Sequence, residues 1–281
     1  MSTSAKSLYR SPDDALLWSR ALGGYVRATN AGKPALKALE RWYVTELPQA
    51  IAARAPAHIV KAELVKLVEW KLTRGKWRPG LLNYAKEQVE ADVVGCSTAA
   101  FKLLQGVGPG DAAPIKAALA ELTELKGVGP ATASALLAAV CPHAPFMGDE
   151  ALEAATGKRE YKPASYMALT DALQGVATRL NAATSATGGV CLPDADAAEA
   201  AGAPAGCAWS AVIVERALWA ASVVGVPVAG DEAAVAPAPA ASRGGAGGKA
   251  GRGKVEGVQE GEETKGGEVD ELPPKAKRRR V

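Results

Sequence analysis

The sequence predicts an all-α protein, and three observations support this class. Apolar residues recur at helical spacing through residues 11–225, alternating strand patterns are essentially absent, and proline or capping residues precede several apolar segments. A chain of 281 residues with 48% apolar composition can bury one core of about 200 residues. We therefore expect a compact helical domain over residues 11–230, between a flexible N-terminus (1–10) and a disordered C-terminal tail (231–281).

The helical domain begins at a start signal in residues 11–14. This Ser-Pro-Asp-Asp segment combines a capping hydroxyl, a proline and acidic residues in the first turn, and it predicts a helix to about Leu22. Further helices are predicted over 34–54 (with a break near Pro48), 60–73, 81–89, 98–104, 114–125, 131–140, 150–155, 164–181 and 209–224. Residues 182–207 are rich in small residues, proline and glycine, and they predict an inserted loop.

The most distinctive pattern lies where two predicted helices meet, within residues 114–140. Gly127 and Gly129 flank one apolar residue, Val128, between a helix that starts with proline and a second helix rich in Ala and Leu. Glycine accepts backbone angles closed to other residues and lets a ligand approach the main chain. Because unpaired N–H groups and the helix dipole favour anions at the start of a helix, nucleic-acid phosphates are the expected ligand.

A second glycine turn at residues 106–110 serves as a comparison. It also reads Gly-Val-Gly-Pro, but it leads into Gly-Asp-Ala-Ala-Pro rather than directly into an apolar helix. We expect this copy to be a plain linker. For the turn at residues 127–129, an ordinary helix end followed by a new helix stays open as the alternative.

The segment Leu-Lys-Gly-Val-Gly-Pro-Ala-Thr-Ala, residues 125–133, resembles the hairpin of the helix-hairpin-helix superfamily of DNA glycosylases. That family has a Gly-apolar-Gly turn, an Ala four residues later, here Ala133, and an Asp about twenty residues beyond the hairpin. Asp149 lies 22 residues after Gly127 and matches that position. The resemblance covers residues 114–155, with a looser all-helical similarity over residues 10–225. It implies duplex DNA as the partner and hydrolysis of the N-glycosidic bond of a damaged base.

Asp149 is the catalytic candidate that the resemblance implies, with Glu150 as the runner-up. Cleavage of an N-glycosidic bond develops positive charge on the sugar, which a carboxylate stabilises, and the base must first leave the duplex stack. The alternative is that Asp149 only caps the next helix. Two departures from the family are present. Ala131 stands where bifunctional members carry a Schiff-base lysine, so a monofunctional enzyme is expected, and Ala154 replaces a common arginine.

A basic segment precedes the hairpin. Residues 54–86 carry eight cations and two carboxylates, a local charge of +6 in a chain whose net charge is only +3. Several of these cations surround Trp70 and Trp77, a mixture that suits phosphate contact with base stacking or wedge insertion. Packing of both tryptophans in the core, with the cations as a solvated rim, is the alternative. The candidate DNA-binding residues are Lys66, Lys71, Arg74, Lys76, Arg78, Lys126, Gly127, Val128, Gly129, Ala131 and Thr132.

The cysteines and histidines predict no metal cofactor. Cys96, Cys141, Cys191 and Cys207 are too widely spaced for a zinc site or for the iron–sulfur cluster that some of these glycosylases hold. A monovalent cation at the hairpin stays open. His58 and His143 are isolated and are expected to be structural or exposed. Free thiols in a reducing compartment fit this pattern, and we expect neither a signal peptide nor a membrane span.

The last residues predict nuclear import. From Asp231 onward the chain has no aromatic residue, which predicts disorder. Its end resembles a monopartite import signal, because five of six positions are cationic after two prolines. These cations are Lys275, Lys277, Arg278, Arg279 and Arg280.

Together, these patterns predict a nuclear DNA-binding protein of DNA repair that resembles monofunctional DNA glycosylases. The partners would be duplex DNA and a nuclear import receptor. The main alternative is a noncatalytic helix-hairpin-helix DNA-binding or adaptor module. A helical protein-interaction domain without a DNA role is a third possibility.

Overall fold

A computed structural model describes residues 4–187, 199, 201–202 and 208–226. These residues are predominantly helical, and no β-strand occurs among them, which confirms the all-α class. They fall within one compact unit, Met1–Val235. The helices are α1 (Ala5–Tyr9), α2 (Ala15–Gly23), α3 (Tyr25–Ala31), α4 (Leu36–Arg41), α5 (Leu47–Ala52), α6 (Lys61–Arg74), α7 (Pro79–Lys86), α8 (Glu90–Leu103), α9 (Ala112–Thr123), α10 (Pro130–Ala138), α11 (Asp149–Thr156), α12 (Pro163–Thr187) and α13 (Ala211–Val224).

The N-terminal segment, expected to be flexible over residues 1–10, contains helix α1. Ser4 caps α1 by accepting a hydrogen bond from the backbone N–H of Ser7, and Leu8 is fully buried. Lys6 also forms a 2.7 Å ion pair with Glu153 on α11. A helix of five residues is too short to show an apolar periodicity. The sequence therefore did not predict that α1 packs against the core through Leu8.

The break expected near Pro48 falls earlier in the chain. A π-helical turn, Trp42–Glu46, separates α4 from α5, and Pro48 lies in the first turn of α5, where a proline is tolerated. Three consecutive side chains of this turn, those of Trp42, Tyr43 and Val44, are buried. The Tyr43 hydroxyl donates a 2.8 Å hydrogen bond to the carbonyl of Ala135, so the turn is tied directly to α10.

Helices α10 and α13 form the centre of the fold. Every residue of α10 from Thr132 to Ala138 is buried, and small side chains let α6, α9 and α12 pack closely around it. Residues 211–221 of α13 are also buried, against α1, α2, α3, α11 and α12. Two ionisable residues, Glu215 and Arg216, lie within this buried stretch.

The segment predicted as an inserted loop is partly helical. Helix α12 continues to Thr187, so the first six residues of the 182–207 segment extend the helix. Its Ala, Thr and Ser residues are compatible with a helix, and Thr184 is buried and donates a hydrogen bond back to the carbonyl of Leu180. Most of residues 188–207, including Cys191 and Cys207, lie outside the described residues, as do the tail and the import signal. No helix in the described ranges is long and apolar enough to cross a membrane.

Candidate nucleic-acid interface and cleft

A cleft of about 260 Å³ opens where five segments of the fold meet. The segments are the end of α6, the loop that leads into α7, the turn before α10, the start of α11, and the connection between α11 and α12. The cleft therefore brings together the glycine turn, part of the basic segment and Asp149, which the sequence singled out separately. Its lining includes Lys71, Arg74, Lys76, Arg78, Gly127, Gly129, Ala131, Thr132, Asp149, Glu150 and Tyr161.

The two glycines of the turn have different structural roles. Gly127 has a φ of +80°, and a Cβ placed there would lie 2.5 Å from Cβ of Tyr84. Gly129 has an ordinary extended backbone, and a Cβ there would have no neighbour within 4 Å. The fold therefore requires glycine at 127 for backbone angle and packing. At 129 the protein itself imposes no such requirement, and the missing side chain leaves open space beside the cleft.

Some backbone N–H groups at this turn are paired within the protein and others are not. Val128, whose side chain is buried, bonds back to Leu125, and the N–H groups of Thr132 and Ala133 both bond to the carbonyl of Gly129 at 2.9 Å. In the described part of the chain, the N–H groups of Gly127, Gly129 and Ala131 have no acceptor. These three residues line the cleft, and Pro130 has no N–H to offer. The start of α10 thus presents donors and a positive dipole end to a bound group.

Asp149 is the first residue of α11, and its side chain does not cap the helix. Gly148 occupies the cap position, and no side-chain cap bond is formed. The Tyr161 hydroxyl instead donates a short hydrogen bond to Oδ1 of Asp149, and Arg159 Nη1 lies 3.5 Å from Oδ2. The carboxylate is one-third exposed, at 33%. Asp149 is therefore a positioned, accessible carboxylate on the cleft wall, and Glu150 lines the cleft beside it.

Tyr161 and Arg159 were not identified from the sequence. Burial and the neighbouring Asp149 raise the pKa of Tyr161 to about 12, so its hydroxyl remains a proton donor to the carboxylate at neutral pH. Arg159 provides a cation to Asp149 from beyond the end of α11, although position 154 holds alanine. No sequence motif identifies either residue, because both reach Asp149 from the connection between α11 and α12.

Lys71 projects from the last turn of α6 toward the start of α10. Its Nζ donates a 2.6 Å hydrogen bond to Oγ1 of Thr132. Burial and, to a smaller extent, nearby Arg78 lower the pKa of Lys71 to about 8, although Asp149 opposes the shift. The hydroxyl of Thr132 is itself buried at the third position of α10, which fixes where the amine lies.

Arg74 does not form part of an exposed basic surface. Its side chain is only 4% exposed and forms a 2.8 Å ion pair with Glu215, which is 2% exposed. The guanidinium also lies over the rings of Trp219, Phe146 and Trp70, at 4.4, 5.2 and 5.4 Å from their centroids. Although burial lowers the pKa of Arg74, the acidic groups around it, Glu215 first and then Glu40, together outweigh this effect and raise it. These contacts hold the guanidinium of Arg74 at the floor of the cleft.

Some of the other basic and aromatic candidates lie at the rim of the cleft, and the rest do not line it. Lys76 and Arg78 are exposed at the rim, and Trp77 between them is 50% exposed. Trp70 is fully buried and stacks on Tyr43, with ring centroids 3.7 Å apart. Packing in the core therefore applies to Trp70, whereas Trp77 is left exposed. The amines of Lys66 and Lys126 lie over the rings of Trp42 and Tyr84, respectively, and neither lysine lines the cleft.

Other titratable residues lie away from the cleft. His58 and His143 do not line it, and burial lowers the pKa of His143. In the residues that the structure describes, no cluster of three His, Cys, Asp or Glu side chains could hold a metal ion.

Comparison of the chain with protein-family models, curated proteins and solved structures finds no match. The function must therefore be argued from the residues and the geometry of the cleft.

The different roles of the two glycines can be tested by the same substitution at each. Gly127→Ser should lower the free energy of unfolding by about 1–3 kcal/mol, because it forces a side chain into a positive φ against Tyr84. Gly129→Ser should change it by less than about 1 kcal/mol in the stabilising direction, since serine is favoured at a helix cap and the space is open. Urea unfolding followed by circular dichroism measures both. Equal destabilisation would contradict the structural distinction.

Proposed function

We propose that this chain binds duplex DNA through the turn at residues 127–132 and that its cleft acts on a base rotated out of the duplex. The observation that carries the proposal is the convergence of unpaired turn N–H groups, exposed cations and a positioned carboxylate in one cleft. Any one of these features also occurs in proteins that do not bind DNA. Their common location matches what DNA backbone binding and glycosidic-bond cleavage require together.

The phosphate-binding part of the proposal rests on the turn and the rim. The N–H groups of Gly127, Gly129 and Ala131 can donate to phosphate oxygens, with the dipole of α10 behind them. Lys76 and Arg78 add exposed positive charge next to these donors. In this interpretation α9, the turn and α10 act as a helix-hairpin-helix element. Trp77, which is exposed between Lys76 and Arg78 in the sequence, is the candidate to fill the space left by a displaced base.

The chemical part of the proposal assigns Asp149 an electrostatic role. The departing base leaves positive charge on the sugar, and a nearby carboxylate lowers the energy of that state or positions the attacking water. Tyr161 and Arg159 fix the orientation of Asp149 while leaving it partly open to the cleft. A volume of about 260 Å³ lies near the lower end for small-molecule sites, which suits a single base better than a large cofactor.

One observation favours the noncatalytic alternative. Both oxygens of Asp149 already have partners within the protein, as expected for a carboxylate that only organises the start of α11. Under this alternative the chain binds DNA through the same turn and rim but releases no base. The two functions share the interface and differ in the role of Asp149.

Duplex binding can be tested with a substitution at a position that has open space around it. Gly129→Asp places a carboxylate at the cap of α10, where it can accept a hydrogen bond from the N–H of Ala131 that we assign to phosphate and repels the DNA backbone. Affinity for a duplex, measured by fluorescence anisotropy, should fall about tenfold, or about 1.4 kcal/mol. In the parent protein the logarithm of affinity should fall linearly with the logarithm of the salt concentration.

Gly95→Asp is the matched control for this experiment. Gly95 is exposed on α8, does not line the cleft, and has open space around it. The variant adds the same charge at a distant site and should bind DNA nearly as the parent does. Absent or salt-independent binding by the parent protein would refute the DNA interface.

Base release tests the role of Asp149. Duplexes that each carry one damaged base are incubated with the protein and then treated with alkali, which cleaves the strand at any abasic site. Asp149→Asn should lower the rate of release about 10²–10³-fold, because it removes the charge and keeps the shape. Asp171→Asn makes the same change on an exposed residue of α12 and should retain the parent rate. Binding without release across the panel would favour the noncatalytic alternative.

Nuclear localisation is proposed from the sequence alone, because residues 275–280 lie outside the described residues. Changing Lys277, Arg278, Arg279 and Arg280 to alanine in a fluorescent fusion should lower the nuclear-to-cytoplasmic ratio, because the cationic cluster that an import receptor binds is lost. Unchanged nuclear accumulation would contradict the assignment.

A further inference from the structure

Lys71 has an unusual environment for a lysine. Its amine lies in the wall of the cleft, and its hydrogen bond goes to the neutral hydroxyl of Thr132. Among the described residues, no carboxylate forms an ion pair with it. Lys76, by comparison, is exposed at the rim of the same cleft. The fold therefore holds one lysine amine at a fixed position inside the cleft, without the charge partner that usually accompanies a half-buried lysine.

This environment makes the amine a nucleophile near neutral pH. A protonated lysine has no lone pair to donate, and burial beside a second cation is a common way to obtain the neutral form. Burial and Arg78 together lower the pKa of Lys71 to about 8, although Asp149 opposes them. Of the other charged groups on the cleft wall, Arg74 is neutralised by its pair with Glu215 and Glu150 lies beside Asp149. With a pKa of about 8, roughly one Lys71 amine in ten is neutral at pH 7, compared with fewer than about one in a thousand for an ordinary lysine.

We propose that Lys71 forms an imine with an aldehyde, and that the substrate class is the ring-opened deoxyribose of an abasic site in DNA. The inference rests on the proposed DNA interface, because the turn at residues 127–132 would hold the phosphates that flank this sugar. Only a sugar that has lost its base exposes an aldehyde at C1′. The same cleft would therefore receive either an abasic site made elsewhere or the product of base release by this protein.

The chemistry balances without an added oxidant or reductant. The lone pair of Nζ attacks C1′ of the aldehyde to form a carbinolamine, which loses water to give the protonated imine. A base removes a proton from C2′, the C3′–O bond breaks, and the 3′ phosphate departs with the electron pair. Water then hydrolyses the imine and restores the amine. Thr132 orients Nζ by accepting its hydrogen bond, and the carboxylate of Asp149, on the same cleft wall, is the available acceptor for the C2′ proton.

This route does not use position 131, where bifunctional members of the glycosylase family carry their Schiff-base lysine and this chain has alanine. The residue at position 131 cannot supply an amine, whereas Lys71 reaches the start of α10 from α6 and contacts the next residue, Thr132. Residues 71 and 132 are 61 positions apart, so no local sequence pattern predicts this contact. Strand cleavage at an abasic site is therefore expected without alkali, even though the hairpin itself carries no lysine after its glycines.

Borohydride trapping tests the inference directly. A duplex with one abasic site is mixed with the full-length protein and sodium borohydride, which reduces an imine to a stable covalent bond. The parent protein should give a crosslinked band, and peptide mass spectrometry should place the sugar on Lys71. Lys71→Arg keeps a positive charge but cannot form the imine, so the band should fall more than tenfold. Lys102→Arg, on an exposed position of α8 away from the cleft, should crosslink like the parent.

Parallel anisotropy measurements on the same abasic duplex separate the two proposals. Binding without any crosslink would overturn the role of Lys71 and leave the DNA interface intact. A crosslink mapped to Lys76 or to another amine would also overturn it. Loss of binding altogether would remove both proposals. Because the mapping uses the parent protein, the inference stays testable even if Lys71→Arg fails to fold.

Discussion

The buried ion pair between Arg74 and Glu215 is the constraint on which the cleft depends. It joins the end of α6 to the middle of α13, two elements that share no other charge contact among the described residues. A lone buried charge is so unfavourable that removing one partner of such a pair usually costs about 3–5 kcal/mol. The pair also leaves no room for a side chain at position 148, where a Cβ would lie 2.7 Å from Oε1 of Glu215. Glycine at position 148 therefore lets the start of α11, and with it Asp149, lie close to this pair.

The aromatic residues around Arg74 extend this constraint toward the hairpin. Trp70 lies under the guanidinium, stacks on Tyr43 and donates a 2.8 Å hydrogen bond to the buried carboxylate of Glu40. Tyr43 in turn bonds to the carbonyl of Ala135 on α10. A continuous buried network thus connects the floor of the cleft to the helix whose start forms one of its walls. The position of the turn relative to Asp149 is therefore set by the core and not by the loops that carry them.

Local patterns predicted the elements of this site but not how each side chain is used. The helices on either side of the glycine turn, and the placement of Asp149 at the start of a helix, follow from periodicity and spacing alone. The window of cations gave no means of distinguishing Arg74, which pairs with a residue 141 positions away, from the exposed Lys76. Trp70 and Trp77 looked alike for the same reason. Contacts across such distances depend on tertiary packing, which no local pattern encodes.

The two glycines of the turn show how structural and functional requirements can be separated within three residues. Gly127 is needed because its backbone angle and the ring of Tyr84 exclude any other residue, so its identity says nothing about a ligand. Gly129 has neither requirement, yet it occupies a helix cap, where serine or aspartate would stabilise the protein more. A side chain with an oxygen there would bind the same N–H groups that a phosphate needs. Under the proposed function, the glycine cap at position 129 leaves the N–H groups at this helix start available to an external anion.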